Sequence, residues 1–136
     1  MALKITLKAN ERLVIGGAVI TNGGGKADLI VENNVPVLRE KEILSEDNAL
    51  TPCSRLYFAI QLIYLNERNP IEHHRTYWEL VKDLMHALPS QISLISQISD
   101  NILKGRYYQS LKLSKKLMEY EEEVMNNARN SAAGSI

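Results

Sequence analysis

The first forty residues constrain this fold most, because apolar and polar side chains alternate there in short runs that end at turn residues. Leu3, Ile5 and Leu7 alternate with Lys4, Thr6 and Lys8, the two-residue period of a strand with one buried face. Two further β-prone runs, Arg12-Leu13-Val14-Ile15 and Ala18-Val19-Ile20-Thr21, are separated only by Gly16-Gly17. Glycine tolerates positive φ, so this spacing predicts a two-residue hairpin turn. Gly23-Gly24-Gly25 then precedes a run over residues 28–32, and Asn33-Asn34 turns the chain into residues 35–38. Five strands this short cannot bury a core alone. They are expected to pack on the first helix or to exchange strands across a homodimer.

Beyond Asn48 the apolar period lengthens to about 3.6 residues. Thr51 suits an N-cap and Pro52 the first helical position. The helix predicted over about 52–66 is apolar nearly all round and encloses Gln61, so it belongs at the centre. Asn66 to Pro70 is expected to break it. A second helix, about 71–87, places Tyr77, Val81, Leu84 and Leu88 on one stripe, with Trp78 and Met85 beside it. Pro89-Ser90 restarts the chain, and Ile92, Ile95, Ile98 (or Ser99) and Ile102 give a third helix to about 104. Gly105 ends that helix. The last one, about 106–127, carries Tyr107, Leu111, Met118 and Met125 in a stripe, with Leu117 and Val124 alongside. The expected fold is therefore α+β: a small N-terminal five-stranded antiparallel β-subdomain (1–44), a bundle of about four helices (50–127), and a flexible tail (128–136).

Composition narrows the function. Sixteen basic residues balance sixteen acidic ones, whereas nucleic-acid binders usually carry a basic excess. Any phosphate contact must come from a local patch, from a dimer that doubles it, or with help. The single cysteine, Cys53, excludes an internal disulfide and fits a reducing cytoplasm. No signal peptide is expected, since charged residues interrupt the N-terminal apolar runs. The run from residue 56 to 65 is too short to span a bilayer. One cysteine and three scattered histidines make no metal site. No nucleophile elbow, P-loop or dinucleotide fingerprint is present, so neither a cofactor nor catalysis is expected.

Two basic groupings are candidate contacts. Lys4, Thr6 and Lys8 lie on the solvent face of the first strand, with Arg12 and Arg39 in the same subdomain. Arg39 can fork onto phosphate or a guanine edge, or it can pair with Glu40 or Glu42. The strand-one residues can form an electropositive stripe or merely protect an edge against pairing. The second grouping is Lys104, Arg106, Lys112, Lys115 and Lys116, with Tyr107 and Tyr108 beside them and no acid between Asn101 and Met118. It reads either as charge plus stacking for single-stranded RNA or as a solvated helix face.

The run Lys8-Ala9-Asn10-Glu11-Arg12-Leu13-Val14-Ile15-Gly16-Gly17-Ala18-Val19-Ile20, followed by Thr51-Pro52 and Arg55-Leu56-Tyr57-Phe58-Ala59-Ile60-Gln61, resembles two segments of the FlbT family in the same order. That resemblance implies post-transcriptional control of flagellin synthesis, through the 5′ untranslated region of flagellin mRNA. It also implies the small flagellar protein FlaF as a partner, with flagellin itself a second candidate. Glu11, Leu13, Ile15-Gly16, Val37 and Arg39-Glu40 also resemble the carbon storage regulator family of five-stranded RNA-binding dimers. There Arg39 would match the principal RNA-contacting arginine, and Lys8 a basic residue ending the first strand. This sequence departs from that pattern at two positions, with Leu7 in place of an arginine and Leu38 in place of a polar residue. A protein-binding module without direct RNA contact is the alternative reading.

Overall fold

A computed structural model describes residues 2–65 and 70–134, with side chains to residue 130. Five strands come first: β1 (Leu3–Leu7), β2 (Arg12–Ile15), β3 (Ala18–Thr21), β4 (Ala27–Val31) and β5 (Val37–Arg39). They divide into two antiparallel sheets, β1 with β4 and a second in the order β3-β2-β5. The Gly16-Gly17 hairpin forms as expected, with Ile15 opposite Ala18. Of the two glycines only Gly16 has positive φ, 57°, the pattern of a type II′ rather than a type I′ turn. Asn22 then secures the loops: its Nδ2 donates to the carbonyls of Lys8 (3.0 Å) and Gly25 (2.8 Å). Its Oδ1 accepts the Gly24 N–H at 3.1 Å.

Strand alternation explains how so few residues hold together. Leu13 and Val37 cluster with Ile5 and Leu7 from β1. Their neighbours Val14 and Leu38 face the other way, into the helical core with Leu56, Ile60 and Leu117. The β3-β2-β5 sheet is thus a middle layer between β1–β4 and the helices. The β-subdomain packs on the chain's own helices, the first of the two arrangements expected for it.

The helices are α1 (Pro52–Tyr64), α2 (Pro70–Ala87), α3 (Ile92–Leu103) and α4 (Tyr107–Gly134). Thr51 caps α1 as its sequence suggests, Oγ1 accepting the Ser54 N–H at 3.2 Å with Pro52 next in line. Central α1 packs against both α2 and α4, and α3 against α4. Tyr77, Val81 and Leu84 of α2 and Ile95, Ile98 and Ile102 of α3 are buried.

Three boundaries and faces differ from the sequence expectation. Residues 66–69, where a break was expected, lie outside the described residues, and Pro70, expected in that break, is helical as the first described residue of α2. The last helix continues to Gly134 instead of ending near 127; its final stretch mixes Ala and Arg, strong helix formers, with the weaker Asn, Ser and Gly. Val124 and Met125, expected on a packed stripe, are 44% and 40% exposed. On α4 the core takes the expected Leu111 and Leu117, and with them Ser110 and Ser114. Ser110 Oγ donates to the Ile98 carbonyl at 3.0 Å, and such small side chains let α3 and α4 approach.

Candidate nucleic-acid interface

The segment leaving β5 is gripped by polar side chains from α1. Tyr57, Gln61 and Tyr64 recur at helical spacing on the face toward it. The Tyr57 hydroxyl donates to the Glu42 carbonyl. Gln61 pairs twice with the Leu44 backbone, Nε2 to the carbonyl at 2.9 Å and Oε1 from the N–H at 2.8 Å. Tyr64 Oη lies 3.0 Å from the Val37 nitrogen and 3.2 Å from its carbonyl oxygen. Burial, then the Glu42 charge, push the Tyr57 phenol up to about 12, so it remains a donor. This row fixes residues 37–44 against the bundle and sets Arg39 beside α4.

Where the two meet, a cleft of about 550 Å³ opens. Arg39 and Lys41 line one wall and Lys112, Lys115 and Lys116 the other, with Tyr57, Tyr108 and Leu111 between them. Among the described residues, the only acids in its lining are Glu42 and Glu119. Five cations against two carboxylates give a local positive excess in a chain of zero net charge. None of the five takes part in an ion pair among the described residues. Lys112 Nζ lies 5.6 Å from the centre of the Tyr108 ring, a cation–π distance. The Arg39 guanidinium donates through Nη2 to the Thr6 carbonyl at 2.9 Å, which anchors its stem and leaves other N–H groups free.

The remaining candidates are dispersed. Lys4 pairs with Asp28 at 3.8 Å, and Thr6 Oγ1 donates to the same carboxylate at 2.7 Å. The Thr6 bond first, then the Lys4 charge, hold the Asp28 carboxyl below its ordinary range. Arg12 faces Glu40 at 3.6 Å, and Lys104 faces Asp100 at 2.9 Å. Lys8 is exposed on a loop turned by its own N–H to Glu11 Oε1, 2.9 Å. Arg106 belongs to a separate depression at the start of α4. The structure therefore joins Arg39 to Lys112, Lys115 and Lys116, leaves Thr6 touching Arg39 through its carbonyl alone, and sets Lys4, Lys8, Arg12 and Lys104 elsewhere.

Sequence reasoning missed Lys41, which carries no signal between Glu40 and Glu42. It also passed over the Tyr57-Gln61-Tyr64 row, although a lone glutamine inside an apolar helix was a visible clue. Cys53 is fully buried; burial, then Glu121, whose Oε2 accepts the Cys53 N–H at 3.1 Å, push its thiol up to about 12. It is an inert core residue.

Fold and cleft together define a small α+β protein in which β-subdomain and helices share one basic surface. The sequence profile described as "Flagellar protein FlbT" matches residues 3–125. The chain belongs to the FlbT family. It is 44% identical over 125 residues to the probable flagellum biosynthesis repressor protein FlbT 1 of Bradyrhizobium diazoefficiens, covering 91% of this chain and 85% of that one. With the probable repressor FlbT of Rhodopseudomonas palustris it shares 36% over 126 residues, 93% and 99% of the two chains. With the flagellum biosynthesis repressor protein FlbT of Caulobacter vibrioides it shares 32% over 135 residues, 98% and 96%. No solved structure matches. Among the described residues, no helix is long and apolar enough to cross a membrane.

Proposed function

We propose that this protein is a cytoplasmic, non-catalytic regulator of flagellum biogenesis that binds the 5′ untranslated region of a flagellin mRNA and lowers its translation or lifetime. Its FlbT relatives are named as repressors of flagellum biosynthesis, which supports the regulatory role. The observation that carries the RNA contact is the cleft, where Arg39, Lys41, Lys112, Lys115 and Lys116 converge without ion-pair partners among the described residues. Phosphate contacts supply most nucleic-acid affinity, and a local cluster can do so in a neutral chain. A leader held along this surface would block ribosome entry and leave the message open to decay.

The test is a binding assay of purified protein with a flagellin leader RNA. Lys112→Glu with Lys115→Glu should abolish binding, whereas Lys4→Ala with Lys8→Ala should retain it. Equal loss in both variants would move the contact away from the cleft.

A second reading rests on a different surface. Between α1 and α2 lies a groove of about 390 Å³ with Phe58, Leu62 and Leu80 in its lining and Arg55 and Glu72 among its charged residues. Leu50 and Ile71, close by in sequence, are 79% and 77% exposed. Such a groove suits a helix of a protein partner, FlaF or flagellin, and would let the protein act without touching RNA. Absence of leader binding in every variant would favour it. The β3 edge, with no described partner on its outer side and all four residues exposed, is where a second copy would pair to form a homodimer.

A further inference from the structure

We infer that the depression at the start of α4 is a pocket for an unpaired nucleobase, so that the protein reads single-stranded rather than duplex RNA. The inference rests on the basic cleft being an RNA site. The pocket measures about 510 Å³ and is formed by the Asn34-Val35-Pro36 turn, by Tyr64, and by residues 105–109. Tyr108 lines both this pocket and the cleft, so the two are neighbours along α4. From Tyr107 to Lys116 the helix rises about 13 Å, enough for a strand to run from one into the other.

The chemistry of the lining matches a base. The Tyr107 ring is half-buried: it packs against the helical core and meets His74 edge-on with 6.0 Å between centroids. The exposed Arg106 side chain forms no hydrogen bond or ion pair among the described residues. Its guanidinium plane, and the part of the tyrosine ring left exposed by that packing, are surfaces on which bases stack. Asn34 and Gln109, both exposed, also make no side-chain hydrogen bond among the described residues. Each amide presents a donor and an acceptor, the pairing that reads a Watson–Crick edge. In a duplex that edge is occupied, which excludes paired RNA. Cations alone would accept any phosphate backbone; the pocket adds a requirement for a base.

The experiment uses the full chain and three probes of equal length: an unstructured oligoribonucleotide, the same strand annealed to its complement, and the same backbone with abasic positions throughout. The single strand should bind about tenfold more tightly than either other probe, since base stacking and edge contacts supply an increment of that order. Asn34→Ala with Gln109→Ala, and separately Arg106→Ala, should lower single-strand affinity toward the abasic level and leave abasic binding unchanged. Lys112→Ala with Lys115→Ala should weaken all three probes. Equal affinity for the three probes, or pocket variants that weaken all three alike, would overturn the base pocket while the cleft stands. Failure of the unsubstituted chain to bind any probe would overturn the RNA reading and the pocket with it.

Discussion

Glu42 and Tyr108, 66 positions apart in sequence, are joined by a hydrogen bond from the tyrosine hydroxyl to carboxylate oxygen Oε2. The other oxygen, Oε1, accepts the Arg39 N–H at 3.0 Å, and the Glu42 carbonyl accepts the Tyr57 hydroxyl. One residue just beyond β5 thereby ties the β-subdomain to both α1 and α4. Burial, then the bond to Glu42, raise the Tyr108 phenol above its ordinary value, so it stays protonated and donating. The basic cleft has its shape because these contacts hold its two walls together.

Tyr108→Phe removes that donor and little else. A hydrogen bond to a charged acceptor contributes about 1.5–3 kcal/mol. The low end is expected, because Glu42 is only half-buried and keeps its other partners. Urea denaturation should show a lower midpoint with an unchanged slope.

Gln61→Leu should cost more, despite preserving bulk. Gln61 is buried, 4% exposed, and its amide satisfies both backbone groups of Leu44. Leucine would leave a part-buried N–H and carbonyl unpaired, at roughly 1–3 kcal/mol each. The same denaturation series should rank this variant well below Tyr108→Phe.

Alkaline pH should destabilise the fold. Tyr57 and Tyr77 are each raised from the ordinary 10.0 to about 12. Burial is the first cause for both; the Glu42 charge adds to it for Tyr57, and a hydrogen bond to Ser99 opposes it for Tyr77. Between those values the folded chain retains protons that the unfolded chain releases, so stability falls as pH rises. Their contribution is fully present below pH 10.0 and is lost as pH climbs toward 12. Ultraviolet absorbance of tyrosinate should show a late-titrating group of tyrosines that rises together with loss of helical circular dichroism.

Leu7 and Leu38 show which parts of this protein were legible in its sequence. Local period identified five strands and four helices, because alternation and helical spacing are properties of neighbouring residues. It could not show that adjacent β5 residues serve different cores, Val37 toward β1 and Leu38 toward α1. The two leucines that depart from the carbon storage regulator pattern are 1% and 0% exposed, so packing accounts for them. The cleft was half visible. Each basic grouping stood out along the chain, but only tertiary folding brings Arg39 beside Lys112, and only tertiary contacts pair Lys4 and Arg12 with acids.

Leu7→Arg, which would restore the arginine of that other family, should therefore unfold the β-subdomain. A charge placed at a position 1% exposed among Ile5, Leu13 and Val37 has no partner. Unpaired buried charges cost several kcal/mol. Loss of cooperative thermal unfolding, or insoluble expression, is the expected outcome; a variant as stable as the parent would contradict the two-core packing.

The most direct test of the cleft is the salt dependence of binding to a single-stranded flagellin leader segment. The parent should lose affinity steeply as salt rises, and Lys112→Ala with Lys115→Ala should flatten the logarithmic slope by about 1.4, two contacts at roughly 0.7 each. Lys4→Ala with Lys8→Ala should leave that slope unchanged. A slope indifferent to the Lys112 and Lys115 substitutions, or flattened equally by those at Lys4 and Lys8, would contradict the assignment of RNA to the cleft.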